Sequence, residues 1–290
     1  MTNPDERTWT VDDLRLSGLV WGPEAGTPVL ALHGWMDHAD SFQTLAPLLC
    51  DCRVVALDLS GQGHSGHRAG HGTYNIWDDL PQIAGLLDQL DWRDPVLLGH
   101  SRGANIATLF AAALPERVRA LVALDSLVPQ PNEASVVDTL RAFLLESRSR
   151  SAGGARTFPR REHYITRRIR QGNTRQVAEA LADRALDETP EGVRLRGDPR
   201  LFASSAIKLT RPQIEDVLRA IRCPVLNIWG TEGILHRRPG LADLVREAGR
   251  LIPDYEQVEI AGDHHLHLEP RAAGQIATLI QTFLRQRQLQ

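Results

Sequence analysis

Residues 95–114 constrain this chain more than any other stretch, because they set a glycine-flanked turn between an apolar strand and an apolar helix. Asp94-Pro-Val-Leu-Leu-Gly99 has the length and composition of a buried strand, and Ala104–Leu114 reads as an apolar helix closed by Pro115. Between them stands Gly99-His100-Ser101-Arg102-Gly103. Glycine on either side of a serine allows a turn so tight that larger side chains there would collide, and such a turn pushes the hydroxyl clear of the backbone. A serine hydroxyl is a weak nucleophile until a base takes its proton. The pattern therefore marks Ser101 as a candidate nucleophile and predicts a base elsewhere in the chain.

The same alternation of short apolar runs and longer helical patterns recurs, which is the mark of parallel βα units. Leu14–Trp21 reads as an early strand, Pro28–His33 as a buried strand ending at Gly34, and Arg53–Asp58 as the next. A helix is predicted over Asn75–Leu90 and a strand over Ala120–Leu124, with Asp125 at its end. The strand rhythm then stops for roughly ninety residues and resumes at Cys223–Trp229 and Gln257–Ala261, before a closing helix over Ala272–Phe283. A long interruption of this kind inside a compact domain points to a functional insertion. The expected organisation is a core of residues 1–128 and 213–290 carrying a helical cap at 129–212, with helices such as Thr174–Leu186. Between Arg150 and Arg211 there are fourteen basic residues against seven acidic, whereas the whole chain carries −3.

Composition narrows the function classes. A balanced charge on 290 residues gives no reason to expect nucleic acid or a membrane as partner. Charges, Gly or Pro interrupt every apolar run, and Met1–Thr10 lacks the apolar core of a secretory leader. Three cysteines, an odd number, fit a reducing, cytoplasmic setting better than a disulfide framework. Cys50 and Cys52 are spaced too closely for a usual metal pair, and Gly61–Ser65 does not match a phosphate-binding loop, so no metal or cofactor is expected.

Three motifs extend the pattern set by Ser101: His33-Gly-Trp-Met-Asp37, Leu57-Asp-Leu-Ser-Gly-Gln-Gly-His-Ser65 and His264-His-Leu-His-Leu-Glu269. Through them the chain resembles the α/β-hydrolase superfamily over nearly its whole length, and more narrowly the serine hydrolase-like proteins. The resemblance implies an α/β fold with a mostly parallel central sheet, helices on both faces and an inserted helical cap. It implies an oxyanion hole made by the backbone N–H groups of Trp35 and Arg102, with His33, Gly34, Trp35 and His100 around the substrate. Counted back five residues from Glu269, the base is His264, with His265 second and His267 structural. A metal held by His264 and His267 would lack a third ligand.

The acid departs from the family pattern. Similar enzymes carry Asp three residues after the glycine that ends the next-to-last core strand, and that position is Gly233, which has no side chain. Asp125 is favoured instead, a place that related dehalogenase-like hydrolases use, with Glu232 as the fallback and a turn cap as the plain role for Asp125. The expected function is hydrolysis of a small-molecule carboxylic ester or thioester. C–C bond hydrolysis or a cofactor-free lyase reaction on the same scaffold is the alternative, and a non-catalytic binding protein a third. The arginines of the insert suggest anionic acyl donors, unless they form only a solvated face.

Overall fold

The computed structural model describes residues 3–238 and 240–289; Met1 and Thr2, part of the stretch read for a leader, lie outside it. The chain opens with a hairpin of β1 (Asp5–Val11) and β2 (Leu14–Trp21), turned by Asp12 and Asp13 at φ 49° and 61°. Two consecutive residues at positive φ match the twist of the flanking strands, and aspartate tolerates that backbone. β1 went unread in the sequence because it is a mostly exposed edge strand of polar residues. There follow β3 (Thr27–Leu32), β4 (Cys52–Asp58), α1 (Leu80–Gln89), β5 (Val96–His100), α2 (Arg102–Ala113) and β6 (Ala120–Leu124).

The insert then leaves the sheet. It holds α3 (Val136–Gly153), β7 (Thr157–Phe158), α4 (Arg161–Arg170), α5 (Arg175–Ala180), α6 (Ala182–Ala185), β8 (Leu186–Thr189) and β9 (Gly192–Leu195). The chain returns with α7 (Arg211–Ala220), β10 (Val225–Gly230), α8 (Ile234–Arg237), α9 (Leu241–Leu251), β11 (Tyr255–Ile260) and α10 (Pro270–Gln286).

Eight strands form the main sheet in the order β1-β2-β4-β3-β5-β6-β10-β11. β2 is antiparallel to both β1 and β4, and every other pairing is parallel. Strands covered on both faces read as unbroken apolar runs, as in Ala120-Leu-Val-Ala-Leu124. Successive residues serve opposite faces. Leu30, Leu97 and Leu121 pack under Leu86, Phe110 and Leu218, while Ala31, Leu98 and Val122 pack under Phe42, Ile276 and Phe283. The chain is thus an α/β-hydrolase-type sheet with helices on both faces.

Three expectations need correction. The helix expected from Asn75 begins only at Leu80, because Asp78 Oδ2 accepts from the Asn75 N–H (2.7 Å) and from Thr73 Oγ1 (2.6 Å) and so holds a local turn. The Thr174–Leu186 helix is broken at Leu181, and Leu186 pairs with Leu195 as a strand. The insert is not purely helical, since β7, β9 and β8 form a three-stranded antiparallel sheet of their own. Short strands with few apolar residues gave no alternation to read. α3 is the least packed helix of the insert, with Thr139 its only buried residue. Among the described residues, no helix is long and apolar enough to cross a membrane.

Candidate active site

Ser101 sits between β5 and α2 with φ 52° and ψ −116°, a backbone that side-chain-bearing residues rarely adopt. The two glycines make this possible by close approach. A Cβ on Gly99 would lie 2.4 Å from the Ala104 Cα, and one on Gly103 would lie 1.9 Å from the Leu32 carbonyl oxygen. Ser101 Oγ lies 3.0 Å from His264 Nε2, and His264 Nδ1 lies 2.6 Å from Asp125 Oδ2. A carboxylate only accepts, so Nδ1 carries the imidazole proton and Nε2 presents its lone pair to the serine hydroxyl.

Asp125 ends β6 and is fully buried. Its Oδ1 accepts from the Gly230 N–H (3.1 Å), and its Oδ2 accepts from the Ile234 N–H (2.9 Å) as well as from His264. A Cβ on Gly233 would stand 1.9 Å from Asp125 Oδ1. The side chain missing at Gly233 is therefore space that the Asp125 carboxylate occupies from the neighbouring strand. Glu232 is exposed, and its carboxylate makes no hydrogen bond or ion pair among the described residues. His265 points its Nε2 to Asp37 Oδ2 (3.1 Å), and His267 is buried with Nε2 against Ser41 Oγ (2.9 Å).

Gly34–Asp37 forms a tight turn beyond β3, closed by the Asp37 N–H on the Gly34 carbonyl (3.2 Å). The Met36 N–H is taken by Gln62 Oε1 at 2.7 Å, whereas the Trp35 N–H meets no acceptor among the described residues. Arg102 opens α2, where first-turn N–H groups have no intrahelical carbonyl. The Arg102 side chain turns aside, donating to the Tyr74 carbonyl (2.9 Å) and facing Asp79 (3.7 Å), so it puts no free charge beside Ser101. Trp35 is 48% exposed, donates its indole N–H to the Leu201 carbonyl (2.9 Å) and meets Phe202 edge-on at 5.1 Å. It borders a cavity of about 410 Å³ between this turn and the insert, which Ser101 itself does not line.

His33 and His100 do not line a pocket as the sequence suggested, because both are completely buried. His33 Nε2 accepts from the Leu59 N–H (2.9 Å), so its Nδ1–H donates to the Gly34 carbonyl (2.7 Å) and braces the turn. His100 Nε2 donates to the His264 carbonyl (2.7 Å), holding the loop that carries His264. Burial and the neighbouring His267, His264 and His265 push His100 well below the usual histidine pKa. Gly34 lies against this ring, since a Cβ there would be 3.0 Å from His100 Nδ1.

Sequence reasoning missed two buried carboxylates that tie the insert to the sheet ends. Arg168 of α4 donates to Asp37 Oδ1 at 2.8 Å, and Arg184 of α6 reaches Asp58 at 2.8 Å. Burial alone would raise the Asp37 carboxyl, but Arg168 and His265 hold it well below the usual range. Asp37, His100 and His265 bring three possible metal-ligand atoms within 4.8 Å of one another. Both Asp37 oxygens already have donors in Arg168 and His265, so the carboxylate is satisfied without an ion.

Residues 27–270 match the family model described as alpha/beta hydrolase fold. A serine hydrolase-like protein of Danio rerio is 31% identical over 276 residues, covering 91% of this chain and 84% of the relative. The chain belongs to the α/β-hydrolases, among the serine hydrolase-like proteins. Among solved structures, this α/β-hydrolase superposes with a TM-score of 0.91 on a hypothetical protein from Pseudomonas aeruginosa PAO1, at 34% identity and covering 97% and 99% of the two chains. It superposes with a TM-score of 0.82 on a thioesterase domain from the curacin biosynthetic pathway, at 26% identity and covering 97% and 100%.

Proposed function

We propose that this hydrolase cleaves a carboxylic ester or thioester through an acyl-enzyme on Ser101. The observation that carries the proposal is the hydrogen-bonded row Ser101–His264–Asp125, at 3.0 and 2.6 Å, beginning at a nucleophile held in a strained turn. Ser101 Oγ attacks the acyl carbon while His264 Nε2 takes its proton, and Asp125 stabilises the imidazolium. The Trp35 and Arg102 amides receive the oxyanion. Collapse breaks the bond to the alcohol or thiol, which leaves with the proton from His264. Water then repeats the sequence against the acyl-enzyme and releases the acid.

No cofactor or metal enters these steps. The insert serves as a cap that sets substrate choice, and the likeness to a thioesterase domain supports the acyl-transfer class. The free cysteines support a cytoplasmic setting. The test is labelling by a fluorophosphonate probe, followed by turnover of a panel of p-nitrophenyl esters and acyl thioesters. Labelling confined to Ser101 and lost in Ser101→Ala is expected. Folded protein that is not labelled would refute the proposal and leave a binding protein, while labelling without ester or thioester turnover would point to C–C bond chemistry.

A further inference from the structure

The basic residues between 150 and 211 fall into two groups. Arg161, Arg168, Arg175, Arg184, Arg194, Arg196, Arg200 and Arg211 each make an ion pair. Arg150, Arg156, Arg160, Arg167, Arg170 and Lys208 make none among the described residues. Three of these six, Arg150, Arg156 and Arg167, line the cavity of about 410 Å³ that Trp35 and Met36 also line. A merely solvated face would scatter the basic residues that make no ion pair, and here half of them line one cavity.

The same cavity has an apolar wall of Trp35, Met36, Phe158, Leu195 and Phe202, and no acidic residue lines it among the described residues. Its charge and its wall are linked directly. The Arg150 guanidinium stands 5.8 Å from the centre of the Phe202 ring, and that ring meets Trp35 edge-on at 5.1 Å. One aromatic ring thus separates a guanidinium that makes no ion pair from the residue whose amide faces the proposed oxyanion. The run from Trp35 through the Phe202 ring to Arg150 fits a ligand whose apolar segment precedes its charge.

We infer that the substrate carries an anionic group, carboxylate or phosphate, beyond an apolar segment, and that Arg150, Arg156 and Arg167 hold that group. The inference rests on the serine hydrolase reading above. Guanidinium groups form the stronger, charge-assisted hydrogen bonds with both anions, so the chemistry is shared and the experiment separates its two sources.

Two matched pairs are compared by kcat/KM. p-Nitrophenyl hemiglutarate against p-nitrophenyl valerate tests a carboxylate in the acyl half, and butyryl-CoA against butyryl-N-acetylcysteamine tests phosphates in the leaving group. The anionic member of one pair is expected to be preferred by about tenfold or more, with the preference shrinking as salt rises. The Arg156→Gln/Arg167→Gln double variant is expected to bring that ratio close to one. Arg160→Gln, outside the cavity, is expected to keep it. Equal constants in both pairs, or a ratio that the double variant leaves in place, would overturn the inference. Binding of monomethyl glutarate and of methyl valerate to Ser101→Ala reads the same preference without turnover. Failure of fluorophosphonate labelling tests the hydrolase reading separately, and equal binding to Ser101→Ala within both pairs, the two esters and butyryl-CoA against butyryl-N-acetylcysteamine, refutes the anionic site even then.

Discussion

His264 and His265 are neighbours in one loop, and each leans on a buried carboxylate from a different part of the sheet. His264 meets Asp125, at the end of β6, at 2.6 Å; His265 meets Asp37, beyond β3, at 3.1 Å. What differs is the far side of each pair. Past His264 stands a serine hydroxyl at 3.0 Å, whereas past Asp37 stands the Arg168 guanidinium at 2.8 Å. A carboxylate–imidazole pair is only a means of holding a ring in one tautomer and orientation. Whether it moves a proton depends on a group beyond the ring that has one to give. On the proposed mechanism the Asp125 side serves proton transfer, whereas the Asp37 side holds an ion pair.

The sharpest way to break this comparison is Asp125→Asn, which is expected to lower kcat by about 10⁴-fold with KM little changed, because the amide favours the wrong tautomer of His264. Steady-state kinetics with any ester that is turned over suffice to check it. A loss below about tenfold would mean that His264 needs no acid.

Moving the acid back across the sheet comes next. The Asp125→Gly/Gly233→Asp double variant should recover about tenfold or more of the activity lost in Asp125→Asn, since the two positions share one pocket. Gly233→Asp alone should lower both kcat and Tm, because its Cβ would stand 1.9 Å from Asp125 Oδ1. A double variant no better than Asp125→Asn would show that the two loops are not interchangeable.

On the other side, Asp37→Asn should destabilise the fold by about 3–5 kcal/mol, since it strips the partner from a buried guanidinium. Its kcat should fall far less than that of Asp125→Asn. Urea unfolding beside kinetics separates the two effects, and a kcat loss equal to that of Asp125→Asn would erase the distinction.

Acid should act on two other buried histidines, His267 and His38. Burial lowers His267 from 6.5 to about 3 and His38 to about 4, so both are neutral in the folded chain. The unfolded chain takes up these protons below about pH 6.5, so their stabilising contribution is complete above that pH and is lost as pH falls toward 3 to 4. Unfolding free energy is expected to drop by about 1.4 kcal/mol per pH unit for each such group, and His267→Asn should flatten the slope. Glu232→Gln, the smallest expected effect, should leave kcat within about twofold.

The strands that carry Ser101, Asp125 and the Gly34–Asp37 turn were legible because buried parallel strands leave uninterrupted apolar runs that stop at turn residues. That Asp125 and not Glu232 meets His264 was not legible, since nothing local distinguishes a carboxylate that reaches the histidine from a turn cap. Asp37, His265 and Arg168 were not legible as a group. They are 228 and 131 residues apart along the chain, and their meeting is created by the fold. The polar β1 and the short strands of the insert lacked the apolar alternation on which a strand is recognised. His33 and His100 misled for a related reason: their place in the sequence beside reactive residues says nothing about which way the rings face.

The two buried arginine–carboxylate anchors give the insert an uneven evolutionary freedom. Arg168 and Arg184 fasten α4 and α6 to Asp37 and Asp58, so that half of the roof cannot drift without leaving a charge stranded in the interior. α3, with one buried residue in eighteen, carries no such obligation. If the insert is the cap proposed above, new substrates would be accommodated by rewriting α3 and the loops around it, while the anchored half stays as it is. Variation within this lineage should therefore concentrate on α3 and its flanking loops.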